Sequence, residues 1–111
     1  MSTASRREAI RAYKERKPQR GVYALRCTAA GRVWVGAKPN LDAARNLLWF
    51  ALGNGLHGDL VLQNDWNTHG EAAFCFEVLE KLKDDVSPLA IHDLLKEKKL
   101  EWLARLSASP L

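Results

Sequence analysis

The residues best suited to chemistry cluster at the start of the chain. Arg6, Arg7, Arg11, Lys14, Arg16, Lys17 and Arg20 stand against Glu8 and Glu15, so residues 1–20 carry +5. The other 91 residues, with ten basic and eleven acidic side chains, carry −1. A basic arm on a near-neutral body is the charge footprint of a phosphate-binding appendage. A solvated helix kept soluble by its charge explains the same block equally well. Elsewhere no general catalytic signature occurs: there is no P-loop, no G-x-S-x-G and no H-E-x-x-H. His57, His69 and His92 are too scattered, and Cys27 and Cys75 too far from any C-x-x-C spacing, to build a zinc site. Both cysteines read as small buried hydrophobes rather than a disulfide.

The elements that must position any site follow from caps and periodicity. Ser5-x-x-Glu8 is a capping box for a helix running to Lys17, ended by Pro18, with Ala9, Ile10 and Tyr13 as a narrow apolar stripe. Residues 21–27 and 32–37 are β-rich, and Thr28-Ala29-Ala30-Gly31 is the right length for a hairpin turn. Asn40 caps an amphipathic helix whose apolar face is Leu41, Ala44, Leu47, Leu48, Ala51 and Leu52, stopped by Gly53-Asn54-Gly55. Asp59 caps a shorter helix through Trp66, closed by Gly70, and residues 74–80 alternate as a third strand. Ser87-Pro88 opens a last helix over about 88–106, with Ile91, Leu95, Trp102 and Leu106 facing inward and a Glu101–Arg105 pair on its surface. The order predicts an α+β fold, a three-stranded antiparallel sheet flanked by helices. The expected organisation is a basic helical arm over 1–20, the domain over 21–106 and a tail over 107–111. With 111 residues, 47% of them hydrophobic and 27% charged, the chain fits one domain. No apolar run approaches the roughly 20 residues of a membrane helix, and the N-terminus lacks a secretory signal. The expected location is the cytoplasm, away from membranes.

Gly21-Val22-Tyr23 and Trp34-Val35-Gly36 put a tyrosine on one hairpin strand and a glycine on the next, just before the Asn-capped helix. That order resembles the GIY-YIG nuclease domain. The stretch His57-x-x-Leu60-x-x-Gln63-x-Asp65-Trp66-x-x-x-Gly70, followed by Phe74-x-Phe76-Glu77-Val78-Leu79-Glu80, is similar to a small stand-alone bacterial subgroup of it. The resemblance spans about Gly21 to Glu80, with weaker support in the last helix.

The resemblance implies a metal-dependent endonuclease that cuts a phosphodiester. Mg²⁺ or Mn²⁺ would be held by a glutamate, a water activated within the tyrosine hairpin, and the developing charge steadied by an arginine on the following helix. Such chemistry needs positioned charge more than covalent steps. By resemblance the catalytic set is Tyr23, Trp34, Gly36 and Arg45. Tyr23 offers a phenol, although a weak base at its free pKa of about 10. Trp34 replaces the second tyrosine; an indole accepts no hydrogen bond, so it either stacks on a base or packs in the core. The arginine's usual position is Ala44, with Arg45 one step away, and the following histidine is Leu48. The metal glutamate's position is Lys99, leaving the flanking Glu97 as the candidate ligand and Glu101 as the other flank. The late asparagine has no counterpart after Asn67. Glu77 and Glu80 are further carboxylates, expected on opposite sheet faces.

The implied partner is nucleic acid, DNA ahead of RNA, bound through Arg6, Arg7, Arg11, Lys14, Lys17, Arg20 and Lys38 by a monomer or weak homodimer. Two other readings stand beside the nuclease. One is a binding module that has lost catalysis and offers Trp34 or Trp49 as a stacking face. The other is a protein-interaction domain with a patch of Trp49, Phe50 and Trp66.

Overall fold

The turn at Thr28–Gly31 folds the chain back on itself. Gly31 takes φ +68°, a left-handed conformation that costs glycine little, and its N–H donates to the Cys27 carbonyl at 2.9 Å. Two seven-residue strands result, β1 (Gly21–Cys27) and β2 (Arg32–Lys38), paired antiparallel. The computed structural model describes residues 19–83 and 85–111. The helix expected to end at Lys17 lies outside them.

Asn40 and Asp59 do cap α1 (Leu41–Gly53) and α2 (Leu60–His69). The Asn40 side chain accepts the Ala43 N–H, and that of Asp59 accepts those of Val61 and Leu62. A short 3₁₀ turn (Glu71–Ala73) leads into β3 (Phe74–Lys81), and Ser87 caps α3 (Pro88–Leu106). The α2 helix runs three residues further than expected, past Trp66 to His69, before Gly70, whose N–H donates to the Trp66 carbonyl, ends it.

The sheet is mixed and four-stranded, in the order β3-β1-β2-β4, rather than three-stranded and antiparallel. The added strand, β4 (Ser109–Pro110), runs parallel to β2 opposite Trp34 and Val35. Its cause is tertiary. Ser107, at φ +50°, turns the chain out of α3 onto the open edge of β2, where the Leu111 N–H donates to the Val35 carbonyl at 2.9 Å. Two residues have no strand pattern of their own; the edge supplies it.

Alternation along the hairpin divides the core between two faces. Tyr23, Leu25, Cys27 and Trp34 pack with Phe74 against Leu41, Ala44, Leu48 and Leu52 of α1 and Leu62 of α2. Val22, Ala24 and Val35 on the other face meet Trp102, Leu103 and Leu106 of α3. Each fully buried aliphatic side chain, such as Leu25, Leu52 or Leu62, contributes about 1.5–3 kcal/mol. Cys27 is buried as expected, but Cys75 is exposed on β3. Leu47, expected on the apolar face of α1, is instead 68% exposed.

The pairing of β1 with β3 contains a bulge. Val22 lies opposite Glu80 while Tyr23 lies opposite Val78, so Leu79 is the extra residue. The bulge rotates Glu80 onto the α3 face, where it accepts from Trp102 Nε1 at 3.0 Å and meets Lys98 at 3.3 Å. Glu77 faces the same way, bonded to Arg26 at 2.9 Å. The expectation of opposite faces assumed an unbroken strand.

Candidate nucleic-acid interface

Both motif glycines are explained by close approach. Tyr23 lies directly opposite Gly36 across the hairpin, and its ring folds over that glycine. A Cβ at position 36 would stand 2.5 Å from the Tyr23 hydroxyl and 2.6 Å from Cζ, so any larger residue displaces the phenol. At Gly21 a Cβ would stand 2.0 Å from the Glu80 main-chain oxygen. This is the close approach that the bulge produces. The turn position gave a signal for the first pairing: once Thr28–Gly31 turns the chain, 23 and 36 must face each other, as 25 and 34 do.

Tyr23 is 3% exposed, and burial raises its phenol pKa above the ordinary 10.0. At neutral pH it is therefore a hydrogen-bond donor and not a base. Its hydroxyl has no protein hydrogen-bond partner among the described residues, and it lines an open groove of about 730 Å³. The groove runs along α1 from Lys38, Pro39 and Asn40 at one end, past Ala44 and Leu48, to Leu56, His57 and Asp59. Pro110 and Leu111 of the last strand region close one side. His57 Nδ1 accepts the Asp59 N–H at 3.0 Å, which assigns the proton of the neutral ring to Nε2.

The patterned stretch 57–70 is mainly structural. Gln63 is buried, donating through Nε2 to the Leu52 carbonyl at 2.9 Å and accepting the His57 N–H at 3.1 Å, which ties α2 to the end of α1. Asp65, 4% exposed, holds Arg32 Nη1 at 2.6 and 2.7 Å and ties α2 to the start of β2. Polar residues inside a helix that bridge to the preceding element are visible in the sequence as a buried-side Gln and Asp, although only the fold names their partners.

The remaining candidates are scattered. Trp34 is 2% exposed and enclosed between the hairpin and its helices, so it offers no stacking face. Arg45 is exposed but does not line the groove: Ala44 does, and the next residue on a helix turns about 100° away. Its guanidinium instead lies 5.5 Å over the Trp49 ring. Trp49 meets Phe76 edge-on at 6.3 Å, and Phe76 stacks on Tyr23 at 4.9 Å. Trp49 also donates Nε1 to Glu71 at 2.8 Å. Trp49 and Trp66 are therefore half-buried and mutually packed at 5.7 Å. The exposed large apolar side chains that line the groove are Leu47, Phe50 and Leu56 instead.

Candidate metal donors do not gather at the groove, whose lining holds Asp59 and His57 but no glutamate. Glu97 is exposed on α3, and among the described residues no three His, Cys, Asp or Glu side chains come together as ligands. Lys99, where the resemblance would place the glutamate, donates Nζ to the Leu111 main-chain oxygen at 2.6 Å. Glu101 pairs with Lys98 at 3.4 Å rather than with Arg105, whose guanidinium lies 4.6 Å over Trp102. Of the basic residues, Lys38 is exposed at the groove's mouth, and Arg20 gives its carbonyl to the Leu82 N–H at 2.7 Å. Arg6, Arg7, Arg11, Lys14 and Lys17 lie outside the described residues. No described helix is long and apolar enough to cross a membrane.

No protein-family model and no curated protein matches the chain. Two solved structures do. The catalytic domain of the homing endonuclease I-TevI superposes with a TM-score of 0.69 at 24% identity, covering 83% of this chain and 97% of that one. A mutant of the catalytic domain of intron endonuclease I-TevI gives a TM-score of 0.68 at 25% identity, covering 80% and 84%.

Proposed function

Starting from a chain that has the fold of the GIY-YIG nuclease catalytic domain, we propose that it binds nucleic acid at the Tyr23 end of the groove and does not cut by a metal-dependent route. The observation that carries this reading is Lys99. A cation bonded to Leu111 stands where the resemblance calls for a metal-holding carboxylate, and a fixed ammonium repels the divalent ion that hydrolysis would need. What the groove retains suits phosphate binding. The Tyr23 hydroxyl is a neutral, unpartnered donor, kept protonated by burial. Lys38 supplies a cation on the same groove lining. DNA is named ahead of RNA because the superposed domains come from intron and homing endonucleases.

The test is to titrate labelled DNA and RNA, single- and double-stranded, with the protein in Mg²⁺, Mn²⁺ or EDTA, over a range of salt. The expected result is binding that weakens steeply with salt, because phosphate contacts release counterions, without cleavage. Metal-dependent cutting that Tyr23→Phe abolishes would make the protein an active nuclease and overturn this reading. Failure to bind any nucleic acid would overturn it as well.

A further inference from the structure

Phosphate accounts for only one end of the groove. Beyond Lys38 and the Tyr23 hydroxyl its wall is largely apolar, and Leu47, Phe50 and Leu56 are 68%, 64% and 69% exposed. A duplex keeps its bases stacked inside and covers apolar side chains only at the cost of unstacking a step around an inserted wedge. An unpaired base covers them. Accepting the nucleic-acid reading above, the geometry points to an unpaired base of single-stranded DNA as the occupant of the apolar groove, with its phosphate at Lys38 and Tyr23.

Three observations agree with this occupant. The groove, at about 730 Å³, is of the size that holds a nucleotide-scale ligand. Phe50 gives an exposed π face, and stacking on an aromatic tolerates any base. The charge matches: Lys38 lines the groove beside Asn40, and the chain enters the described domain next to them, where the Leu41 N–H donates to the Gln19 carbonyl at 2.8 Å. An amphipathic peptide would also cover Leu47 and Phe50, but it lacks the alternation of phosphate and planar ring that matches a cation and an exposed aromatic face on one groove.

The experiment is fluorescence anisotropy with the full chain and three labelled probes of equal length at one salt concentration. These are an oligothymidylate, an abasic strand with the same phosphates, and a blunt duplex. The oligothymidylate is expected to bind about tenfold tighter than the abasic strand. A Leu47→Ser, Phe50→Ala variant should lose that preference and keep its fold, since both side chains are exposed. Equal affinity for the abasic strand or the duplex overturns the inference, as does a full preference surviving in the variant. In those cases salt-sensitive binding of the abasic strand still supports the phosphate reading; if no probe binds, that reading fails and the inference falls with it.

Discussion

The two faces of the sheet use alternate residues of the same hairpin and are held in different ways. The α1–α2 face packs the aromatic set Tyr23, Trp34, Phe74 and Phe76, and it is fastened at its margins by polar ties from the buried side chains of Gln63 and Asp65. The α3 face has a small aliphatic layer, Val22, Ala24 and Val35, under Trp102, with Glu80, Lys98 and Arg105 arranged around the indole. One face thus gains rigidity from the enclosed Gln63 bond, costly to break in a low-dielectric setting, and from the buried Asp65 carboxylate under a half-exposed Arg32. The other is bordered by partly exposed charges, which contribute little and answer to salt and pH. A ligand site needs fixed geometry, and the Tyr23 groove is on the rigid face.

The sharpest break in this comparison is at Gly21, which serves both faces by allowing the bulge. Gly21→Ala should destabilise by roughly 3 kcal/mol or more, because its Cβ meets the Glu80 backbone and not a movable side chain. Chemical denaturation would measure it against Gly53→Ala, where a Cβ meets nothing within 4 Å. Next comes the polar tie of the rigid face. Arg32→Ala leaves the Asp65 carboxylate enclosed without its partner and should cost about 2 kcal/mol, seen as a lower Tm that Asp65→Asn partly restores.

Trp34→Phe removes volume from the enclosed core, at about 1–2 kcal/mol. Its nucleic-acid affinity should match the parent's in a binding titration; a large loss would return Trp34 to the ligand surface. Gly36→Ala is expected to act the other way, pushing the Tyr23 phenol aside and lowering affinity severalfold while Tm falls less than in Arg32→Ala.

The smallest effect tests the α3 face. The hydrogen bond from Trp102, aided by Lys98, holds the Glu80 carboxyl below its usual 4.5. A depressed folded pKa means stabilisation that is present above the unfolded value and lost as pH falls through the folded one. Glu80→Gln should therefore cost within about 1 kcal/mol at neutral pH and flatten the loss of stability below about pH 4.5. An unchanged acid profile would show that Glu80 adds nothing to this face.

Much of the scaffold was legible because it is local. Asn40, Asp59 and Ser87 satisfy amides two or three residues ahead, and Gly31 supplies a left-handed turn, so neighbours in sequence decide helix starts and the hairpin. The same locality, with the Tyr23 and Gly36 spacing, made the fold resemblance readable. What tertiary structure alone decided depends on partners far apart in the chain. The open edge of β2 turned Ser109-Pro110 into a strand, and the bulge moved Glu80 to the face of Glu77. Arg45 settled on Trp49, and Arg105 on Trp102 in place of Glu101. Lys99 found the Leu111 carbonyl. Long side chains choose among several partners within reach, and a difference of about 1 kcal/mol selects one. Local sequence pattern carries the backbone's preferences, whereas those last contacts depend on distances that exist only once the sheet has closed.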